Sequence, residues 1–129
     1  MIEYLIKKDN QIVRVDKEEQ ATWLHIEPPF EPNELQVFAD EHGIPLDFLS
    51  DPLDRDSRSR YEREEEAILI IVNCPILNDE LAENESIYYT EPIGIILIDD
   101  KIVTITNTDN PIIELFKENK VKHYLFSIV

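Results

Sequence analysis

The sequence is short of the residues that build reactive or nucleotide-binding motifs. Its 129 residues include one cysteine, Cys74, and two glycines, Gly43 and Gly94. A single cysteine cannot form an internal disulfide, and no Cys/His cluster could hold zinc, so we expect a reducing, cytosolic setting. Two isolated glycines cannot form a phosphate-binding loop, and no serine or cysteine lies in a recognisable nucleophile motif. The sequence therefore predicts a protein that is not an enzyme.

Long apolar runs are also missing. The longest, at 67–72 and 93–98, have about six residues, whereas a membrane-spanning helix needs roughly 18–20. Residues 1–11 predict a short strand that enters a charged turn, without the apolar region and cleavage site of a signal peptide. We expect that this chain alone neither crosses a bilayer nor is exported through a signal peptide.

Basic residues are scarce. Twelve lysines and arginines stand against 28 aspartates and glutamates, which gives a formal net charge of −16. Such a surface repels phosphate backbones and anionic lipids, so binding to nucleic acid or to a membrane surface is disfavoured. Cations are the natural small partners. The alternative interpretation is that the charge only keeps the protein soluble.

The remaining pattern predicts one mixed domain over residues 1–129, in which 43% of residues are hydrophobic and 31% are charged. Alternating or β-branched residues predict strands at 2–6, 11–15, 22–26, 67–72, 93–98 and 101–105. Helical spacing predicts a helix over 32–42 that ends at Gly43, a short second helix from Ile44, and a third from about Asn110. Strand 67–72 is apolar on both faces, which implies layers above and below the sheet.

Two further segments complete this prediction. Residues 78–85 form an acidic connection without periodicity, and residues 121–129 are typical of the first turns of an amphipathic helix. No glycine or proline stop signal follows that helix start. We therefore expect 121–129 to be the start of a truncated long helix.

The most interesting group of side chains is Asp51, Asp54 and Asp56, three carboxylates within six residues that could offer oxygen ligands to a hard cation. The spacing is not that of an EF-hand, because the turn glycine and the closing glutamate are missing. The alternative roles are helix capping and salt bridges to Arg55, Arg58 and Arg60. The run 62–66 predicts only a solvated strand edge or face. His25, His42 and Cys74 are interpreted as structural.

The order of these pieces resembles the CorA family of magnesium and cobalt channels. The residues that carry the resemblance are Thr22-Trp23-Leu24-His25-Ile26, Glu41-His42-Gly43-Ile44, Leu49-Ser50-Asp51-Pro52-Leu53-Asp54, Arg60-Tyr61-Glu62, Ile102-Val103-Thr104-Ile105 and Tyr124-Leu125-Phe126-Ser127-Ile128. The resemblance spans nearly the whole chain. With the elements above, it implies an α/β fold: a three-layer α/β/α sandwich with a mixed, partly antiparallel sheet of about six or seven strands and short helices on both faces.

For function, the resemblance implies the cytosolic regulatory and assembly domain of a pentameric channel made of identical subunits, at the cytoplasmic face of the cell membrane. Asp51 matches a position of an intersubunit site that binds regulatory Mg²⁺ weakly, with Co²⁺ or Ni²⁺ as other possible cations. Ser50 stands where a second acidic residue can precede it in relatives, which departs from a two-carboxylate site. Contact with the membrane would come only through a segment beyond Val129.

Three alternatives stay open from the sequence. A zinc-transporting relative would share the same domain, because the pore that sets ion selectivity lies outside this sequence. A free-standing acidic module could bind a basic partner protein, and an immediate stop codon after Val129 would favour it. A sensor for a small molecule could use the same α/β layers.

Overall fold

A computed structural model of the chain describes residues 1–77 and 88–120. The strands are β1 (Ile2–Lys8), β2 (Gln11–Arg14), β3 (Trp23–Ile26), β4 (Arg60–Glu64), β5 (Ala67–Leu77), β6 (Tyr88–Ile98) and β7 (Lys101–Thr106). The helices are α1 (Glu34–His42), α2 (Leu46–Ser50) and α3 (Pro111–Lys117), with 3-10 turns at Glu18–Gln20 and Asp51–Leu53. The predicted acidic connection 78–85 and the predicted helix at 121–129 lie outside the described residues.

The described strands form one seven-stranded sheet in the order β2-β1-β3-β7-β6-β5-β4. β3 pairs with β7 in parallel, and the other neighbours are antiparallel. The strands predicted at 2–6 and 11–15 form the hairpin β1–β2, and those predicted at 93–98 and 101–105 form the hairpin β6–β7. Their turns place Asp9, Asn10 and Asp99 at positive φ, a conformation that Asp and Asn tolerate better than most residues.

The sheet separates two apolar cores. Trp23 and Leu24 are neighbours on β3 and point to opposite faces, so each belongs to a different core. On the Leu24 side, α1 and α2 contribute Phe38 and Phe48. On the Trp23 side, Ile113 of α3 completes the core. This arrangement confirms the predicted α/β/α sandwich.

The helix ends follow local sequence signals. Gly43 ends α1 at φ 66°, and its N–H donates to the carbonyl oxygen of Ala39, as glycine commonly does after a helix. α1 begins at Glu34, later than the predicted Pro32, because Asn33 takes a left-handed conformation. Asn110 starts α3, where its side-chain oxygen accepts from the backbone N–H groups of Ile112 and Ile113. Among the described residues, no helix has the length and apolar content to cross a membrane.

The strand predicted at 67–72 is confirmed as the first part of β5, with one face less buried than its apolar sequence suggested. Ala67, Leu69 and Ile71 are buried, but the alternate residues of the strand are only half-buried within the described part of the chain. The reason is the position of the strand: β5 is one place from the sheet edge, whereas α3 contacts β2 at the opposite edge. Leu115 of α3 is 37% exposed.

Gly94 on β6 permits the close approach of the turn Asp51–Leu53 to the sheet. A Cβ atom at this position would lie 2.5 Å from Cγ of Pro52 and 2.8 Å from Cγ2 of Ile105. Pro52 is buried, so the contact fixes where the turn sits. Glycine at this position is therefore a packing requirement.

Gly94→Ala is expected to destabilise the domain by about 1–3 kcal/mol, because the added methyl group overpacks the site. Urea denaturation would measure the loss. Pro52→Ala removes the nearest atom, so the double variant should lose less than the sum of the two single variants. Strict additivity of the two losses would contradict this contact.

Candidate functional site

The segment from Asp51 to Arg60, called here the acidic loop, connects α2 to the edge strand β4. Its first residues form the 3-10 turn that packs on Gly94. The backbone oxygen of Asp51 accepts from the N–H of Asp54 and from the hydroxyl of Ser57. These bonds fold the loop back on itself.

Asp51 presents its carboxylate at the protein surface. Its Oδ2 accepts a hydrogen bond from Nη2 of Arg60 at 2.6 Å, and its side chain is 36% exposed. This ion pair is one of the salt bridges that the sequence suggested as an alternative to metal binding. The Asp51 carboxylate has oxygens that could ligate a metal ion, and in this structure its charged partner is the guanidinium group of Arg60.

Asp54 and Asp56 lie on the exposed side of the acidic loop. Oδ1 of Asp54 accepts from the backbone N–H of Asp56 at 2.9 Å, which is a turn-stabilising bond of the kind expected from aspartate. Among the described residues, the three predicted ligands do not converge on one point, and the carboxylates that do so lie elsewhere. Metal binding by this trio stays a prediction.

An ion pair between the exposed Arg55 and the buried Glu91 anchors the acidic loop to the sheet. Nη2 of Arg55 donates to Oε1 of Glu91 on β6 at 2.7 Å, and Glu91 is 2% exposed. The guanidinium carbon of Arg55 also lies 6.0 Å from the ring centroid of Tyr89. Nδ2 of Asn73 on β5 donates to the backbone oxygen of Ser57 at 3.1 Å. The loop is therefore held by both β5 and β6.

Sequence reasoning missed a second acidic group, called here the carboxylate cleft: Glu27, Asp109 and Glu114. Their oxygens lie within 4.8 Å of one another, beside an open cavity of about 550 Å³. Glu27 follows β3 and Asp109 follows β7. Because these strands are parallel, their carboxyl ends meet at one edge of the sheet. Sequence analysis did not predict that β3 pairs with β7 in parallel, and without that pairing Glu27 and Asp109 could not be placed side by side.

Lys117 neutralises part of the charge at the carboxylate cleft. Its Nζ lies 2.6 Å from Glu114 and 2.8 Å from Oε1 of Glu3. Burial acts to raise the pKa of Glu3, but Lys117 and Arg14 together hold that pKa below its usual value. Burial acts to lower the pKa of Lys117, and its two carboxylate partners raise it. Burial raises the pKa of Glu27.

His25 lies fully buried beneath the cleft. Its Nδ1 is 2.7 Å from Oγ1 of Thr104, which also accepts from Nε1 of Trp23 at 2.8 Å. If the hydroxyl proton of Thr104 is donated to Nδ1, the remaining ring proton is on Nε2, 3.3 Å from Oε2 of Glu27. Burial, helped by the charge of Lys117, lowers the pKa of His25 to about 4. The imidazole is thus a neutral structural group.

Comparison with solved structures defines the class of fold. The complete structure of the CorA magnesium transporter from Methanocaldococcus jannaschii has a TM-score of 0.68 and 21% identity, over 93% of this chain and 36% of that chain. The soluble domain of CorA from the same organism has a TM-score of 0.64 and 23% identity, over 99% of this chain and 50% of that chain. The ZntB cytoplasmic domain from Vibrio parahaemolyticus RIMD 2210633 has a TM-score of 0.61 and 15% identity, over 93% of this chain and 50% of that chain.

These likenesses show a shared fold, and the chain spans between about a third and a half of the length of those solved chains. The family follows from sequence: the model of the CorA-like Mg2+ transporter protein family matches residues 18–123. The chain therefore belongs to the CorA family, which confirms the resemblance. A comparison with curated proteins found no match.

The pH dependence of stability should report on His25. The folded-state pKa of about 4 lies below the ordinary histidine value of 6.5, so the unfolded chain takes up the proton first, and stability is lost as pH falls from 6.5 toward 4. By pH 5 the loss from this group is roughly 1–2 kcal/mol. His25→Gln should flatten this slope in urea denaturation between pH 7.5 and 5. An equal slope in His25→Gln and in the unmodified chain would contradict the assignment.

Arg55→Met should destabilise the domain by about 1–3 kcal/mol, because it leaves the buried carboxylate of Glu91 without its charged partner. Arg58→Met is a matched control, since Arg58 is an exposed arginine of the same loop. Thermal and urea denaturation of the two variants make the comparison. A loss no larger in Arg55→Met than in Arg58→Met would show that the pair does not anchor the loop.

Proposed function

We propose that this chain forms the cytoplasmic regulatory and assembly domain of a CorA-family channel subunit, and that Asp51 takes part in sensing magnesium between identical subunits. The observation that carries the proposal is the family match over residues 18–123, a range that includes the whole acidic loop. The acidic loop supports it further, because it holds a carboxylate at the surface on a segment anchored to the sheet.

The donor chemistry of the acidic loop fits a hard divalent cation. Its acidic side chains, Asp51, Asp54 and Asp56, offer carboxylate oxygens, the ligands that magnesium prefers in octahedral surroundings with several retained waters. Since these carboxylates do not converge within one chain, the remaining ligands would come from water and from a neighbouring subunit. Such a site binds weakly, and Co²⁺ or Ni²⁺ could occupy it as well.

The charge of the chain supplies the regulatory force in this proposal. Each domain carries a formal charge of −16, so acidic surfaces of neighbouring subunits in a pentamer repel one another. Screening limits this repulsion to about 8 Å at physiological ionic strength, and it therefore acts only where acidic side chains of neighbouring subunits approach each other closely. Magnesium supplies the positive charge that offsets the repulsion. The pore and the membrane-spanning segments would lie outside residues 1–129.

A zinc-transporting relative is the second candidate, favoured by the likeness of fold to the ZntB cytoplasmic domain. The carboxylates of the acidic loop favour the harder cation. Thermal-shift titrations of the chain with Mg²⁺ and with Zn²⁺ would separate the two, since stabilisation by zinc alone would favour the second candidate.

Asp51→Asn in the full-length product of the gene should weaken protection from limited proteolysis by magnesium, raising the half-protective concentration at least several-fold. The reason is that the amide removes the charge of a proposed ligand. Asp40→Asn is a matched control, because Asp40 is an exposed aspartate on α1. Unchanged protection in Asp51→Asn, or an equal shift in both variants, would overturn the role of Asp51.

A further inference from the structure

Arg60 is shared between two carboxylates at the surface. Its Nη2 lies 2.6 Å from Oδ2 of Asp51 and 3.1 Å from Oε2 of Glu62. The exposed fractions of the three side chains lie between 36% and 40%. All three can therefore change rotamer without disturbing the core.

The fold of the backbone between Asp51 and Arg60 places these two residues close together. Arg60 is the first residue of β4 and pairs with Ile71 of β5, and Asn73 holds Ser57 just before it. At the other end of the loop, the backbone oxygen of Asp51 accepts from Ser57. These contacts hold the Cα atom of Arg60 at a place from which its guanidinium group can reach the Asp51 carboxylate.

The ion pair opposes cation binding at Asp51 in two ways. Arg60 occupies Oδ2, one of the two oxygens that a metal ion could use, and its positive charge repels a divalent cation at short range. Moving the guanidinium away is inexpensive, however, because Glu62 already contacts it and can keep it paired. Arg60 can therefore exchange Asp51 for Glu62 without becoming an unpaired charge.

We propose that Arg60 is a built-in competitor of the divalent cation for Asp51, and that it sets the cation concentration at which Asp51 becomes occupied. The inference rests on the proposed function, and it adds a tuning residue to that site. When a cation binds, it replaces Arg60 as the positive partner of Asp51. The weak affinity for magnesium then has two sources: the hydration of the ion and the competition from Arg60.

Manganese(II), a paramagnetic substitute for magnesium, provides the test. The broadening of backbone amide NMR signals in the acidic loop, followed during titration of the 129-residue chain, gives an apparent affinity at Asp51. Arg60→Met should bind manganese about three- to ten-fold more tightly, as expected for loss of one nearby exposed charge under partial screening. Arg58→Met, which removes the same charge from the same loop, should change the affinity less than about two-fold.

Arg60→Lys separates competition from a loosened loop. It keeps the charge and should bind manganese nearly as the unmodified chain does, whereas a general loosening would tighten or weaken binding in both variants alike. Equal affinities for Arg60→Met and Arg58→Met, or weaker binding by Arg60→Met, would overturn the inference. If the unmodified chain shows no broadening near Asp51, Arg60 has no cation to compete with inside one subunit and the inference fails. If broadening appears but Asp51→Asn leaves it unchanged, Asp51 is not a ligand and the proposed cation site fails as well.

Discussion

The parallel pairing of β3 with β7 is the constraint on which the rest of the structure depends. The two strands lie at the centre of the sheet and align Leu24 with Val103 and Ile26 with Ile105, all buried. The pairing joins the amino-terminal hairpin and β3 to the four-stranded antiparallel unit of β4, β5, β6 and β7. It also brings the carboxyl ends of both strands to one edge, where Glu27 and Asp109 meet. Both apolar cores are built against these two strands.

Local signals made much of the fold predictable. The turn residues Asp9 and Asn10, the cap Gly43 and the cap Asn110 each act within a few residues of their own position, so the sequence reveals them directly. The partner of β3 is different, because Trp23 and Ile102 pair across a long stretch of intervening chain and periodicity carries no information on long-range pairing. β4 was visible only in outline: the run 62–66 predicted a solvated strand edge or face, and the edge strand Arg60–Glu64 has mostly charged, exposed side chains, as edge strands often do.

In the candidate site, too, some residues could be recognised from the sequence and others could not. The carboxylates of the acidic loop were visible as a run of aspartates, and one of the alternatives considered for them, an ion pair from Asp51 to Arg60, is present. Glu91 could not be recognised, because a single glutamate before an apolar run gives no hint that it is buried or that its arginine partner lies 36 positions away. Gly94 gave no local signal either: it meets Pro52 and Ile105 through packing of distant segments.

The attachment of the acidic loop to β5 and β6 has a consequence for protein engineering. The residues that shape it, Asn73, Glu91 and Gly94, all come from one hairpin that follows it in sequence. Residues 51–98 therefore hold both the loop and the contacts that shape it. Anyone who transplants the loop into another scaffold would need to move the hairpin with it, since the aspartates alone would arrive without the geometry that orients them.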